Sequence, residues 1–164
     1  MSEFAPSPLS RSRLFEINLD QATIARKNPN VEHEREVAIF DILESNEFKL
    51  VGHENGPYRL DLSIAEDRLV LTVGNETELE LETHALSLQP FKKIIKDYFL
   101  VCDSYYEAIR TAPPSKIQAI DVGRRCLHDE GSRLFAERLD GKINVDFDTA
   151  RRLFTLICAL HWKG

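Results

Sequence analysis

The sequence lacks every short signature that would name a common chemistry. It has no Gly-x-Ser-x-Gly elbow to present a serine nucleophile, no Walker loop and no glycine-rich dinucleotide fingerprint. The common nucleotide enzymes and serine hydrolases therefore have no support in it. No run of about 18 apolar residues exists to span a bilayer. The start, Met1-Ser-Glu-Phe-Ala-Pro, has neither the basic nor the apolar region of a secretory signal, so a cytoplasmic setting is expected. Cysteine is scarce: Cys102, Cys126 and Cys158 are odd in number and form no Cys-x-x-Cys pair, which indicates neither a disulfide framework nor a zinc knuckle. Positive charge is also short. Lys and Arg number 21 against 27 Asp and Glu, and the net charge of -6 argues against general nucleic-acid binding, which neutralises phosphates with cations. Val31-Glu-His-Glu-Arg-Glu36 falls short of a zinc-protease motif, because no second histidine follows His33 by four residues. The five histidines are scattered, so no metal and no cofactor is expected.

What is present is an ordinary globular composition. An apolar share of 43% and a charged share of 29% over 164 residues suit one well-buried core. The charge is uneven along the chain. Residues 54–84 hold eight acids against Arg59 and Arg68, whereas residues 90–125 hold seven bases against four acids. Such asymmetry can orient a partner or a second copy of the chain, although solvated faces also produce it.

Hydrophobic periodicity predicts an α+β fold. Residues 1–13 read as a flexible N-terminal tail, and residues 14–164 as a single domain. Leu14 to Leu19 alternates as a strand, Asn28-Pro-Asn30 makes a turn, and Val37, Phe40 and Leu43 mark the apolar stripe of a helix from Val31 to about Asn46. Between residues 48 and 88 the period becomes two. Tyr58, Leu60, Leu62 and Ile64, then Leu69, Leu71 and Val73, then Leu79 and Leu81, then Leu86 and Leu88 predict an antiparallel meander with turns at Ala65-Glu-Asp-Arg68 and Gly74-Asn75. About four helices pack on this small sheet. Pro90 opens the second, with Phe91, Ile94, Ile95, Tyr98, Cys102, Tyr105 and Ile109 inward. Pro113-Pro114 ends it, and Ser115 is placed to cap a third helix over residues 116–139. Asp146 or Asp148 caps a last helix so apolar that it is either central or at a subunit interface.

The third helix breaks its own pattern. Ile117, Ile120, Leu127, Leu134 and Phe135 define its buried arc, yet Arg124 and His128 fall inside that arc and Asp121 at its edge. The spacings i,i+3 and i,i+4 allow all three side chains to line one ridge. A partly buried arginine needs a carboxylate or phosphate partner. The functional reading is an anion pocket in which Arg124 binds a phosphate or carboxylate, His128 donates or accepts a proton, and Asp121 orients. The structural reading is an ion pair between Arg124 and a carboxylate beside a satisfied core histidine. Gly123 and Gly131 read as close-approach positions for another helix. The exposed lysines Lys92, Lys93 and Lys96, with Arg124 and Arg125, offer a local basic patch.

Several blocks carry a resemblance. They are Asn28-Pro-Asn-Val-Glu-His-Glu-Arg35, Gly56-Pro-Tyr58, Lys96-Asp-Tyr-Phe99, Ser104-Tyr-Tyr106 with Ala108-Ile-Arg110, Asp121 with Gly123-Arg-Arg125, Asp146-Phe-Asp-Thr-Ala-Arg-Arg-Leu-Phe-Thr155 and Leu160-His-Trp162. Together they resemble an uncharacterised protein family of proteobacteria over nearly the whole chain. The resemblance implies a cytoplasmic protein and transfers no activity or catalytic residue. The expectation is a non-catalytic binding or regulatory module acting through its helical face. The alternative is a small-anion-binding protein or enzyme with a pocket at Asp121, Arg124 and His128. The apolar last helix and His161-Trp162 point to a homo-oligomer.

Overall fold

The computed structural model describes residues 11–54 and 56–160. Most of the expected tail over residues 1–13 lies outside them, as does His161-Trp162. In chain order the elements are β1 (Leu14–Leu19), α1 (Pro29–Glu44), β2 (Phe48–Leu50), β3 (Tyr58–Ala65), β4 (Arg68–Asn75), β5 (Glu82–Ser87), α2 (Gln89–Thr111), α3 (Pro114–Leu139), β6 (Ile143–Val145) and α4 (Phe147–Leu160). The fold is α+β.

Alternation along β3 and β4 puts Tyr58, Leu60, Leu62, Leu69, Leu71 and Val73 into the core. The two strands pair antiparallel from Tyr58 opposite Asn75 to Ala65 opposite Arg68, so the turn between them has only Glu66 and Asp67, both at positive φ. A tight turn of that kind matches the twist of its strands. β5 continues the meander, while β1 joins the other side of β3 in parallel, giving the order β1-β3-β4-β5. The segment around Leu79 is not a strand: Leu79 is exposed, and the chain from Asn75 to Leu81 loops closely over Gly74, where a Cβ would lie 2.2 Å from the Leu79 carbonyl oxygen. β2 and β6 form a separate two-stranded ribbon.

α1 begins earlier than its apolar spacing indicates. The Asn28 side chain accepts the Val31 N–H at 3.0 Å with Pro29 in the first turn, so Asn28-Pro-Asn30 caps the helix instead of forming a separate turn. Its buried face is Val31, Arg35, Ala38 and Ile42, which leaves Phe40 63% exposed and Val37 on the surface. Arg35 can face inward because two of its guanidinium nitrogens are paired there: its Nε donates to the Ala159 carbonyl at 3.2 Å and its Nη1 to the Ala25 carbonyl at 3.0 Å and to Glu32, while Nη2 is buried without a partner. Asn28→Ala is expected to cost about 1 kcal/mol of unfolding free energy, read as a lower urea midpoint with an unchanged m-value.

α3 starts at Pro114 with Pro113 at the N-cap and no side-chain cap, so Ser115 lies within the first turn. It is continuous past Gly131, and that glycine gives room to the Phe154 ring of α4. α4 is capped by Asp146, whose carboxylate accepts the Thr149 N–H at 3.1 Å. It packs between α1 and α3, and α2 packs along α3 with Phe91 reaching the Phe154 ring of α4. Leu153, Phe154, Leu156 and Ile157 are all buried among the chain's own residues, so the apolar character of this helix is accounted for within one chain.

Candidate functional site

The ridge expected from Asp121, Arg124 and His128 divides in two. Arg124 donates from Nε to Asp121 Oδ1 at 3.2 Å, with a second, shorter bond from Nη2, and its guanidinium lies 4.9 Å from the Tyr105 ring centre on α2. Asp121 also takes Arg125 Nε at 3.2 Å. These bonds hold the Asp121 carboxyl below its ordinary range, with the Arg124 hydrogen bond as the main cause. Both charges are committed to an intrahelical pair that remains partly exposed.

His128 turns the other way, toward α4. Its Nε2 lies 2.7 Å from Thr155 Oγ1, and its ring meets Phe154 edge-on at 5.3 Å and Tyr98 at 5.4 Å. Thr155 donates its own proton to the Arg151 carbonyl, so its oxygen receives the His128 N–H. Ser132 donates to the His128 carbonyl at 2.7 Å and stands 3.5 Å from Nδ1. The Nε2 therefore carries a proton. Burial, with Arg151 adding to it, pushes the imidazole pKa down to about 4, while Asp129 pulls the other way.

Beside this imidazole a cleft of about 190 Å³ opens, lined by His128, Asp148, Arg151, Arg152 and Thr155. Four of the five stand on α4 at spacings i, i+3, i+4 and i+7, which aligns them on one helical face. The opposite, apolar face of α4 enters the core and fixes their direction. Arg151 Nε lies 3.1 Å from Asp129 Oδ1 of α3, yet neither atom has a well-directed hydrogen bond, so this charge contact is loosely held. Arg152 Nη1 donates to the Ser45 carbonyl at 2.8 Å, at the negative end of the α1 dipole. In the sequence the apolar residues of α4 mask this polar face. The signal was present in Asp148, Arg151, Arg152 and Thr155 at helical spacing.

Cys158 is buried and Cys102 half-buried, burial pushes both thiols upward, and Cys126 is exposed. Thiols held protonated are poor nucleophiles. Folding brings His53 and His84 onto one carboxylate, Glu82, at 3.0 and 2.8 Å, with each ring on its own oxygen. Among the described residues no group of three His, Cys, Asp or Glu side chains is arranged to hold a metal ion. Of the lysines on α2, Lys92 holds Asp67 at 2.9 Å and Lys93 holds Asp97 at 2.8 Å, which offsets the basic patch. No helix among the described residues is long and apolar enough to cross a membrane.

Comparison with known proteins gives relatives over nearly the full length. A UPF0262 protein of Rhizobium meliloti is 58% identical over 152 residues, covering 93% of this chain and 96% of the relative. One of Rhizobium leguminosarum bv. trifolii is 57% identical over the same extent. One of Nitrobacter hamburgensis is 54% identical over 164 residues, covering 100% of both chains. No solved structure matches the chain. Residues 11–163 match the uncharacterised protein family UPF0262, and with relatives this similar across their whole length the chain belongs to that family.

Proposed function

We propose that the protein is a non-catalytic binding module whose helical layer takes a small anion, a phosphate or carboxylate group, in the cleft between α3 and α4. The observation that carries this reading is the convergence of Arg151, Arg152, Thr155 and the neutral His128 on one concavity. Arginine presents a planar fork of donors suited to either anion. At about 190 Å³ the cleft is smaller than the roughly 300–1,000 Å³ of a drug-sized site, which restricts the ligand to a small metabolite or one charged end of a larger one. Asp148 on the rim and Asp129 beside Arg151 offset part of the positive charge, so a ligand that also carries a hydrogen-bond donor fits best. The reading goes with a cytoplasmic setting. It also goes with a homo-oligomer, but the buried α4 no longer supplies the reason for one.

The test is thermal shift and calorimetry with inorganic phosphate and with small dicarboxylates, at matched ionic strength. A ligand at 100 times its Kd stabilises the fold by about 2.7 kcal/mol, which is readily seen. The Arg151→Ala, Arg152→Ala double variant is expected to weaken binding at least about tenfold, as loss of charge-assisted hydrogen bonds implies. Arg124→Ala is expected to leave binding unchanged, because that side chain lies in the Asp121 pair. No shift with any phosphate or carboxylate sinks the reading. Loss of binding in Arg124→Ala alone moves the site to the Asp121 ridge.

A further inference from the structure

We infer, resting on the reading of the cleft as an anion site, that the anion enters together with a proton, which His128 takes at Nδ1 to become the third cation of the site. The free chain holds one proton on this ring, at Nε2, which lies 2.7 Å from Thr155 Oγ1. Nδ1 keeps its lone pair. It stands 3.5 Å from Oγ of Ser132, a fully buried residue on the next turn of α3. The Ser132 proton is already given to the His128 carbonyl, so the serine oxygen beside Nδ1 is an acceptor. A solvent proton arriving on Nδ1 therefore has its receiver in place, and a charged donor draws its acceptor closer than a neutral one does. Thr155 and Ser132 thus provide for both N–H groups of an imidazolium. What the free chain lacks is a negative charge to balance it.

Three helices set the charge around the ring. α3 brings Arg124 and Asp129, and α4 brings Arg151, Arg152 and Asp148. α2 brings Tyr98, whose ring centre lies 5.4 Å away and whose hydroxyl is kept protonated by burial. Arg124 is matched by Asp121 and Arg151 by Asp129, while Arg152 shares the cleft with Asp148, so the surroundings are close to neutral. Burial, with Arg151 first among the nearby cations, then holds Nδ1 bare despite Asp129. A doubly charged anion seated between Arg151 and Arg152 changes the balance. It leaves two negative charges unmatched where water is scarce, which is costly. Of the neutral side chains lining the cleft, His128 and Thr155, the imidazole is the one that can turn positive. An opposite charge a few ångströms away favours the charged form by roughly 1–3 pH units. The coupling is reciprocal, so acid in turn tightens the anion.

The experiment is calorimetric titration of the full chain with sodium sulfate, a dianion at both pH 5 and pH 7, in paired buffers of different ionisation heat at matched ionic strength. At pH 5 each sulfate is expected to bring in at least about half a proton and at pH 7 very little, with affinity about tenfold higher at pH 5. Nitrogen NMR of the histidine rings is expected to show Nδ1 of His128 gaining its proton at pH 5 only once sulfate is added. His128→Gln keeps a donor for Thr155 and cannot titrate, so it is expected to bind sulfate without the uptake. Ser132→Ala removes the receiver and is expected to lower the uptake at pH 5 while leaving the affinity at pH 7 as it was. Binding without proton uptake at pH 5 overturns the inference and leaves the anion site standing, and so does an uptake that persists in His128→Gln. Sulfate that binds at neither pH, where phosphate does bind, overturns it as well. Silence from sulfate, phosphate and the dicarboxylates alike removes the anion site and the proton with it.

Discussion

Gly131→Ala is expected to lower the unfolding free energy by about 2 kcal/mol, the middle of the range for forcing extra volume into a packed core. Helical preference alone argues the opposite sign, since alanine is favoured over glycine in a helix interior by about 1 kcal/mol. Sterics decide it. A Cβ at position 131 would stand 2.1 Å from Cζ of Phe154. The ring cannot swing away at low cost, because it is fully buried, with Phe91 at 6.3 Å and His128 at 5.3 Å. Gly123 on the same helix is the internal control, with nothing within 4 Å of its added Cβ. Gly123→Ala is therefore expected to stabilise by up to about 1 kcal/mol. Urea unfolding of the two variants measures both signs, and a gain in each would show that α4 does not press on α3 as described.

The second large effect is acid sensitivity at His128. Its pKa is pushed down to about 4 in the folded chain from an ordinary 6.5, first by burial and then by the nearby Arg151 and Arg124, with Asp129 opposing. Above pH 6.5 the imidazole is neutral in both states, and its contribution to stability is complete. As the pH falls from 6.5 toward 4, the unfolded chain takes up a proton that the folded chain refuses, so stability is lost. At 1.36 kcal/mol per unit the loss amounts to about 3 kcal/mol by pH 4. His128→Gln retains an amide that can donate to Thr155 and removes the titration. Between pH 7 and pH 4 the wild type is expected to lose about 3 kcal/mol more than this variant does. Parallel curves would mean that His128 carries no such penalty.

These two sites also separate what periodicity can reveal from what it cannot. The meander from Tyr58 to Val73 was legible because each strand alternates and its turn contains Glu66-Asp67. The parallel pairing of β1 with β3 was not, since its register joins Leu14 to Tyr58 across a helix and leaves no local mark. On α1 the apolar residues Val37 and Phe40 gave the wrong face. The true one includes Arg35, whose partners Ala25 and Ala159 stand outside its helix, and a buried arginine looks exposed until they are known. On α3, helical spacing correctly put His128 inward, where it is 9% exposed. It could not supply Thr155 on another helix, nor show that Arg124 faces Tyr105 and not the imidazole.

The position of α4 bears on how the chain acquires its fold during synthesis. α1 buries its inner face against α4, and α3 sets Gly131 against Phe154 of the same helix, yet α4 is the final described element to be made. Until it emerges, the sheet and the α2–α3 pair can already form, but α1 lacks its main packing partner and the face of α3 around Gly131 lacks the Phe154 ring. Docking of α4 thus closes the structure in one late, long-range step, of the kind that slows folding and leaves apolar surface open to chaperones in the interval.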